Sequence, residues 1–101
     1  MNEYTGIGRE DAKLCIGEGW HSLIDEIYDR LPDEAIVNTV KEKFGGLRVY
    51  VDRIDNETQQ FVDSIEDKSY TICEMCGKPG KSRSGGWILT LCDQCYEARN
   101  K

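Results

Sequence analysis

The stretch Cys73-Glu74-Met75-Cys76, matched by Cys92-Asp93-Gln94-Cys95, decides how this chain is read. Fifteen residues separate the pairs, giving the pattern C-x2-C-x15-C-x2-C. A two-residue gap between cysteines folds into a tight turn that aims both sulfurs at one point. Two such turns supply four soft thiolates, the ligand set of a closed tetrahedral zinc site. Two disulfides would need an oxidising compartment, and a thioredoxin-like redox pair would use a single Cys-x-x-Cys. The expectation is therefore one structural Zn2+ per chain on Cys73, Cys76, Cys92 and Cys95, with no coordination position left for water or substrate.

Working outward, Gly77 directly after Cys76 lets the first turn curl so that backbone N–H groups face the sulfurs. Gly85-Gly86 suggests a hairpin tip, Trp87 to Leu91 a strand, and residues 96–101 a short helical tail. Turn, hairpin, turn and helix suggest a zinc-ribbon or treble-clef module over residues 71–101. Its own apolar content is too small to fold it, so metal binding should supply most of its stability.

Ahead of this module, Trp20, Leu23, Ile24, Ile27 and Leu31 recur at helical spacing, which predicts a helix over 20–31 ended by Pro32. Residues 33–44 admit two readings. Pro32-Asp33-Glu34 with a glycine stop at Gly45 resembles a helix, but Ile36-Val37-Asn38-Thr39-Val40 is β-branched. Leu47, Val49 and Val51 alternate with Arg48, Tyr50 and Asp52, which decides for a hairpin over 36–53 with Gly45-Gly46 at its turn. A second helix is expected over 56–70, with Asn56 as N-cap and Gln59 completing a capping box. The four glycines at 6, 8, 17 and 19 predict flexible loops around one short helical turn. Gly6-Ile7-Gly8 is no dinucleotide fingerprint, because Asp11 occupies the third glycine position. Cys15 is expected to be a small buried apolar residue. The fold class is thus α+β: an acidic helix and hairpin part over 1–70 and a four-cysteine zinc module over 71–101, packed as one unit.

Of the net charge of −6, residues 1–70 carry −8 and residues 71–101 carry +2 before any metal is counted. A nonspecific nucleic-acid binder normally shows the reverse. Lys78, Lys81 and Arg83 with Trp87 form a basic and aromatic cluster. It reads either as a small nucleic-acid contact, assisted by Lys41, Lys43 and Arg48 on the other hairpin, or as a solvated hairpin tip. Trp20 beside His21 reads either as a stacking pair or as core, its indole N–H reaching a carbonyl. The acids are scattered with no paired acid and base, so no catalytic residue is assigned and the chain is expected not to be an enzyme. No apolar run of ~20 residues is present to cross a bilayer, and Met1 to Gly6 has no secretory pattern. A cytoplasmic location with reduced thiols is expected.

Four stretches together carry a resemblance: Gly19 to Asp25, Val40 to Tyr50, Cys73 to Gly80, and Gly86 to Cys92. They resemble short uncharacterised proteins of tailed phages and prophages, over most of residues 17–95. Some members of that group differ in the fourth ligand, where this chain has Cys95. The group brings no function with it, but it implies the bacterial host cytoplasm. The functional expectation is a small non-enzymatic interaction module acting on a host or phage protein, with an acidic inhibitor of a nucleic-acid-binding or defence enzyme as one form of it. The alternative is a nucleic-acid-binding zinc ribbon.

Overall fold

The structure, a computed structural model, describes residues 6–83 and 88–99. Its elements follow in the order α1 (Arg9–Lys13), a 3-10 turn (Glu18–Trp20), α2 (His21–Arg30), β1 (Ile36–Lys43), β2 (Gly46–Asp52), α3 (Asn56–Ser69), β3 (Lys81–Arg83), β4 (Leu89–Leu91) and α4 (Asp93–Arg99). It is a small α+β fold with two separate two-stranded antiparallel sheets, β1-β2 and β3-β4. The tip expected at Gly85-Gly86 lies outside the described residues. No helix among the described residues is long and apolar enough to cross a membrane.

The apolar stripe read from the sequence becomes the core. Trp20, Leu23, Ile24 and Ile27 are fully buried, against Val40, Leu47 and Val49 of the hairpin and Val62 and Ile65 of α3. Removing each large side chain from water contributes roughly 1.5–3 kcal/mol, so this cluster dominates the stability of the first part. Leu31 already has extended backbone, because the proline that follows disfavours a helical conformation before it.

The hairpin forms over the expected residues, but its turn lies one position earlier than predicted. Lys43 pairs with Gly46, so the turn residues are Phe44 and Gly45, with φ of +53° and +83°. Gly46 is instead the first residue of β2, and its glycine identity has a different cause. A Cβ there would lie 2.3 Å from the Tyr70 ring. The outer edge of β2 is closed by side chains of α3: Leu47 N–H donates to Ser69 Oγ at 2.8 Å and Val49 N–H to Glu66 Oε2 at 2.8 Å. An exposed strand edge is thereby covered.

Three further expectations are corrected. The N-cap of α3 is Asp55, whose Oδ1 accepts the Thr58 N–H at 2.8 Å; Asn56 is the first helical residue. Asp55 wins because it has extended backbone and its carboxylate favours the positive end of the helix. Cys15 is exposed rather than buried, its thiol facing the Asp11 carbonyl at 3.4 Å, because α1 turns only Ala12 into the core. The glycines at 17 and 19 do not mark a flexible loop. Gly19 N–H donates to the Glu74 carbonyl at 2.7 Å and Gly17 N–H to the Glu74 carboxylate at 3.2 Å. A Cβ on Gly19 would lie 2.0 Å from the Cys73 carbonyl oxygen. These glycines let the N-terminal segment lie directly on the first cysteine turn.

Candidate metal centre

The first cysteine pair sits on a tight turn closed by backbone alone. Cys73 N–H donates to the Lys78 carbonyl at 2.8 Å, and Gly77 N–H returns to the Cys73 carbonyl at 2.9 Å. Gly77 has a φ of +84°, a conformation that disfavours any side chain, which is why glycine follows Cys76. The second pair straddles the start of α4: Cys92 directly follows β4, and Cys95 lies in the first turn of the helix. That helix begins at Asp93, three residues earlier than the tail expected from the sequence.

The four sulfurs of Cys73, Cys76, Cys92 and Cys95 all lie within 4.8 Å of one another, and Cys76 and Cys92 approach to 3.5 Å. A tetrahedron with Zn–S bonds of ~2.3 Å has edges of about 3.8 Å, so the cluster has the size of a metal site. Cys73 is fully buried and Cys92 nearly so, while Cys76 reaches solvent.

The electrostatics of the cluster fit a cation. Burial pushes the Cys73 thiol up, but N–H donors from Cys92, Cys76 and Met75 outweigh it and bring its pKa down to about 6. Cys92 is also lowered, chiefly by the Cys95 N–H, which points at its sulfur at 3.4 Å. Cys95 moves the other way, pushed up to about 12 chiefly by its bond to Cys92. Four thiols this close cannot all ionise on their own; a divalent ion supplies the charge that lets them. The donor set therefore suits a soft or borderline dication held entirely by sulfur.

The centre is fastened to the rest of the chain at three points. Trp20 Nε1–H donates to the Ile72 carbonyl at 2.9 Å, one residue before Cys73. Glu74 takes the two glycine N–H groups already described, and burial raises the pKa of its carboxyl. Thr90, fully buried, donates its hydroxyl to the Gly45 carbonyl at 2.6 Å, while its own carbonyl accepts the Glu74 N–H at 3.0 Å. The hairpin turn of the first part thus rests on the strand that leads into the second cysteine pair. Neither Glu74 nor Thr90 stands out in the sequence, since Gly19 and Gly45 are dozens of residues away from them.

The remaining candidates separate. Trp20 is core with its N–H satisfied, and His21 Nε2 lies 2.8 Å from the Lys13 carbonyl, so the two do not form an open stacking pair. In the basic cluster, Arg83 donates to Asp93 at 2.6 Å, donates to the Leu91 carbonyl and stacks on Tyr96 at 4.5 Å. Lys78 donates to Gln94 at 3.3 Å, Lys81 is exposed, and Trp87 lies outside the described residues. Arg83 is thereby engaged within the module. No family model matches the chain, and neither a curated protein nor a solved structure matches it.

Proposed function

We propose that Cys73, Cys76, Cys92 and Cys95 hold one Zn2+ as a structural ion, and that the chain is a non-enzymatic binding module for a protein partner. The observation that carries the metal assignment is the clustering of four sulfurs within 4.8 Å, enough to fill a tetrahedral ion with protein ligands alone. A ribbon-like or treble-clef module is the arrangement that such turns, a short hairpin and a following helix suggest.

Support for a protein partner comes from an apolar groove of about 750 Å3 between the N-terminal segment and the module. Leu14, Ile16, Met75, Leu89 and Leu91 line it, together with Arg99, and Leu14 and Met75 are 83% and 59% exposed. Exposed apolar surface of this kind suits an apolar segment of another protein. The motif likeness to tailed-phage proteins favours a host or phage protein as that partner. An acidic-inhibitor role has less support, because Arg9 and Lys13 already pair with Asp25, Arg9 with Asp29, and Lys68 with Glu26.

Elemental analysis of protein purified under reducing conditions should find one zinc per chain, lost in Cys73→Ser. A partner captured by the wild-type chain and lost by Leu14→Asp with Met75→Asp, at unchanged metal content, would establish the groove. Absence of metal would remove the first half of this reading, and capture indifferent to Leu14 and Met75 the second.

A further inference from the structure

The β1-β2 hairpin has one face on the core and one face turned away, and the outer face is basic and aromatic. Opposed residues of the ladder share a face, so Lys41 with Arg48, Thr39 with Tyr50, and Lys43 with Gly46 stand on the same side, away from Val40, Leu47 and Val49. Three cations therefore gather on a protein whose net charge is −6. Among the described residues none of the three makes an ion pair, whereas Arg9, Lys13, Lys68 and Arg83 all do.

Each cation is instead set beside an aromatic ring. Lys41 Nζ lies 5.7 Å from the Tyr50 ring, Lys43 Nζ 5.7 Å from Phe44, and the Arg48 guanidinium 5.9 Å from Tyr70, whose hydroxyl it also meets at 2.9 Å. Phe44 is 66% exposed and Tyr50 47%. Phe44 is also one of only two non-glycine residues with positive φ among those described. A left-handed conformation is unfavourable for a residue with a side chain, and turns of this kind normally use Asn or Gly at that position. Here the chain holds an aromatic ring there and leaves it in solvent. Nearby acids are directed elsewhere: Glu42 accepts the Gly45 N–H at 2.7 Å, and Asp52, at the far end of the strand, accepts the Asn38 amide at 2.7 Å.

From this juxtaposition we infer that the outer face of the hairpin is a binding surface for single-stranded nucleic acid. Phe44 and Tyr50 would stack on about two unpaired bases, and Lys41, Lys43 and Arg48 would take the neighbouring phosphates. Exposed rings favour a single strand over a duplex, whose bases already stack on one another. An acidic protein surface would satisfy the cations but leave the rings without flat partners. The surface shares no residue with the apolar groove, so it stands independently of the protein-partner reading.

The test is fluorescence anisotropy of the full, metal-loaded chain with an end-labelled oligothymidylate about 12 nucleotides long, beside a duplex of the same length, at about 50 mM salt. Saturable, salt-sensitive binding of the single strand is expected, at least about five-fold tighter than the duplex. Phe44→Asn with Tyr50→Ala should weaken it about ten-fold or more. Asn suits the left-handed turn, and an unchanged melting curve separates lost binding from lost fold. Lys41→Glu with Lys43→Glu should reduce both the affinity and the salt dependence, by about two released counterions. Lys78→Glu with Lys81→Glu should leave binding within about two-fold, since those residues belong to the cysteine module and not to this hairpin. The inference is overturned if the wild-type chain binds no single strand at low salt, if duplex binds equally, or if the Phe44 and Tyr50 replacements change nothing. Competition by polyglutamate as strong as by the oligonucleotide would also overturn it and assign the face to an acidic protein.

Discussion

Residues 6–70 and residues 71–99 solve the same problem by different means. The first part buries eleven residues in one continuous cluster drawn from three α-helices, the 3-10 turn and a hairpin. Among its described residues the second gathers three in its apolar cluster, and two of those, Cys73 and Cys92, are candidate metal ligands. Water exclusion therefore organises the first part, while the described residues of the second give it little to exclude. The contrast teaches where each half is vulnerable: one to cavities, the other to disruption of its cysteine cluster.

Removing a ligand should break the comparison most completely. Cys73→Ser, or a strong chelator, is expected to abolish the defined structure of the second part, forfeiting most of the ~10 kcal/mol or more that structural zinc contributes in small modules. Amide exchange checks this, with protection lost beyond residue 71 and retained in α2, the hairpin and α3. Retained protection throughout would show that packing alone holds the second part.

Trp20→Ala probes the first part. It opens a cavity at the centre of the core and leaves the Ile72 carbonyl without its donor, so a loss of about 3–5 kcal/mol is expected in urea denaturation. Gly19→Ala should follow, at about 1–3 kcal/mol, because its Cβ meets the Cys73 backbone, which cannot swing aside. Gly46→Ala should cost less, since the obstacle there is the Tyr70 side chain. If the two alanines cost the same, the N-terminal segment is not seated on the cysteine turn as described.

Asp55→Ala removes a cap from α3 and should cost about 1 kcal/mol. The smallest effect belongs to Glu66, whose carboxyl pKa is raised, chiefly by burial. The folded state then binds a proton more readily than the unfolded state, so stability from this group falls as pH rises from the ordinary carboxyl value through the raised one. Glu66→Gln should flatten that slope while still accepting the Val49 N–H. Denaturation midpoints from about pH 4 to about pH 7, compared with the wild-type chain, check the sign.

Much of this organisation is legible from local patterns. The two cysteine turns follow from spacing, and α2, the hairpin and α3 from periodicity, because each depends on residues within a few positions of one another. The turn at Phe44 escapes such a reading because Gly45-Gly46 is the better local signal, and only Tyr70 explains why the second glycine belongs to the strand. The burial of Gly19 and the exposure of Cys15 depend on what packs against them from afar. The same holds for Arg83: its charge suggests a ligand contact, but Asp93 and Tyr96 take it up.

The bond from Thr90 to the Gly45 carbonyl joins positions 45 residues apart, and the contact from Gly19 to Glu74 spans a similar distance. Helix α2, the hairpin and α3 can each assemble from neighbouring segments, whereas these closures must wait until the C-terminal third has been synthesised. Local elements can therefore form first, and the seating of the opening residues and of the hairpin tip on the cysteine module completes the fold.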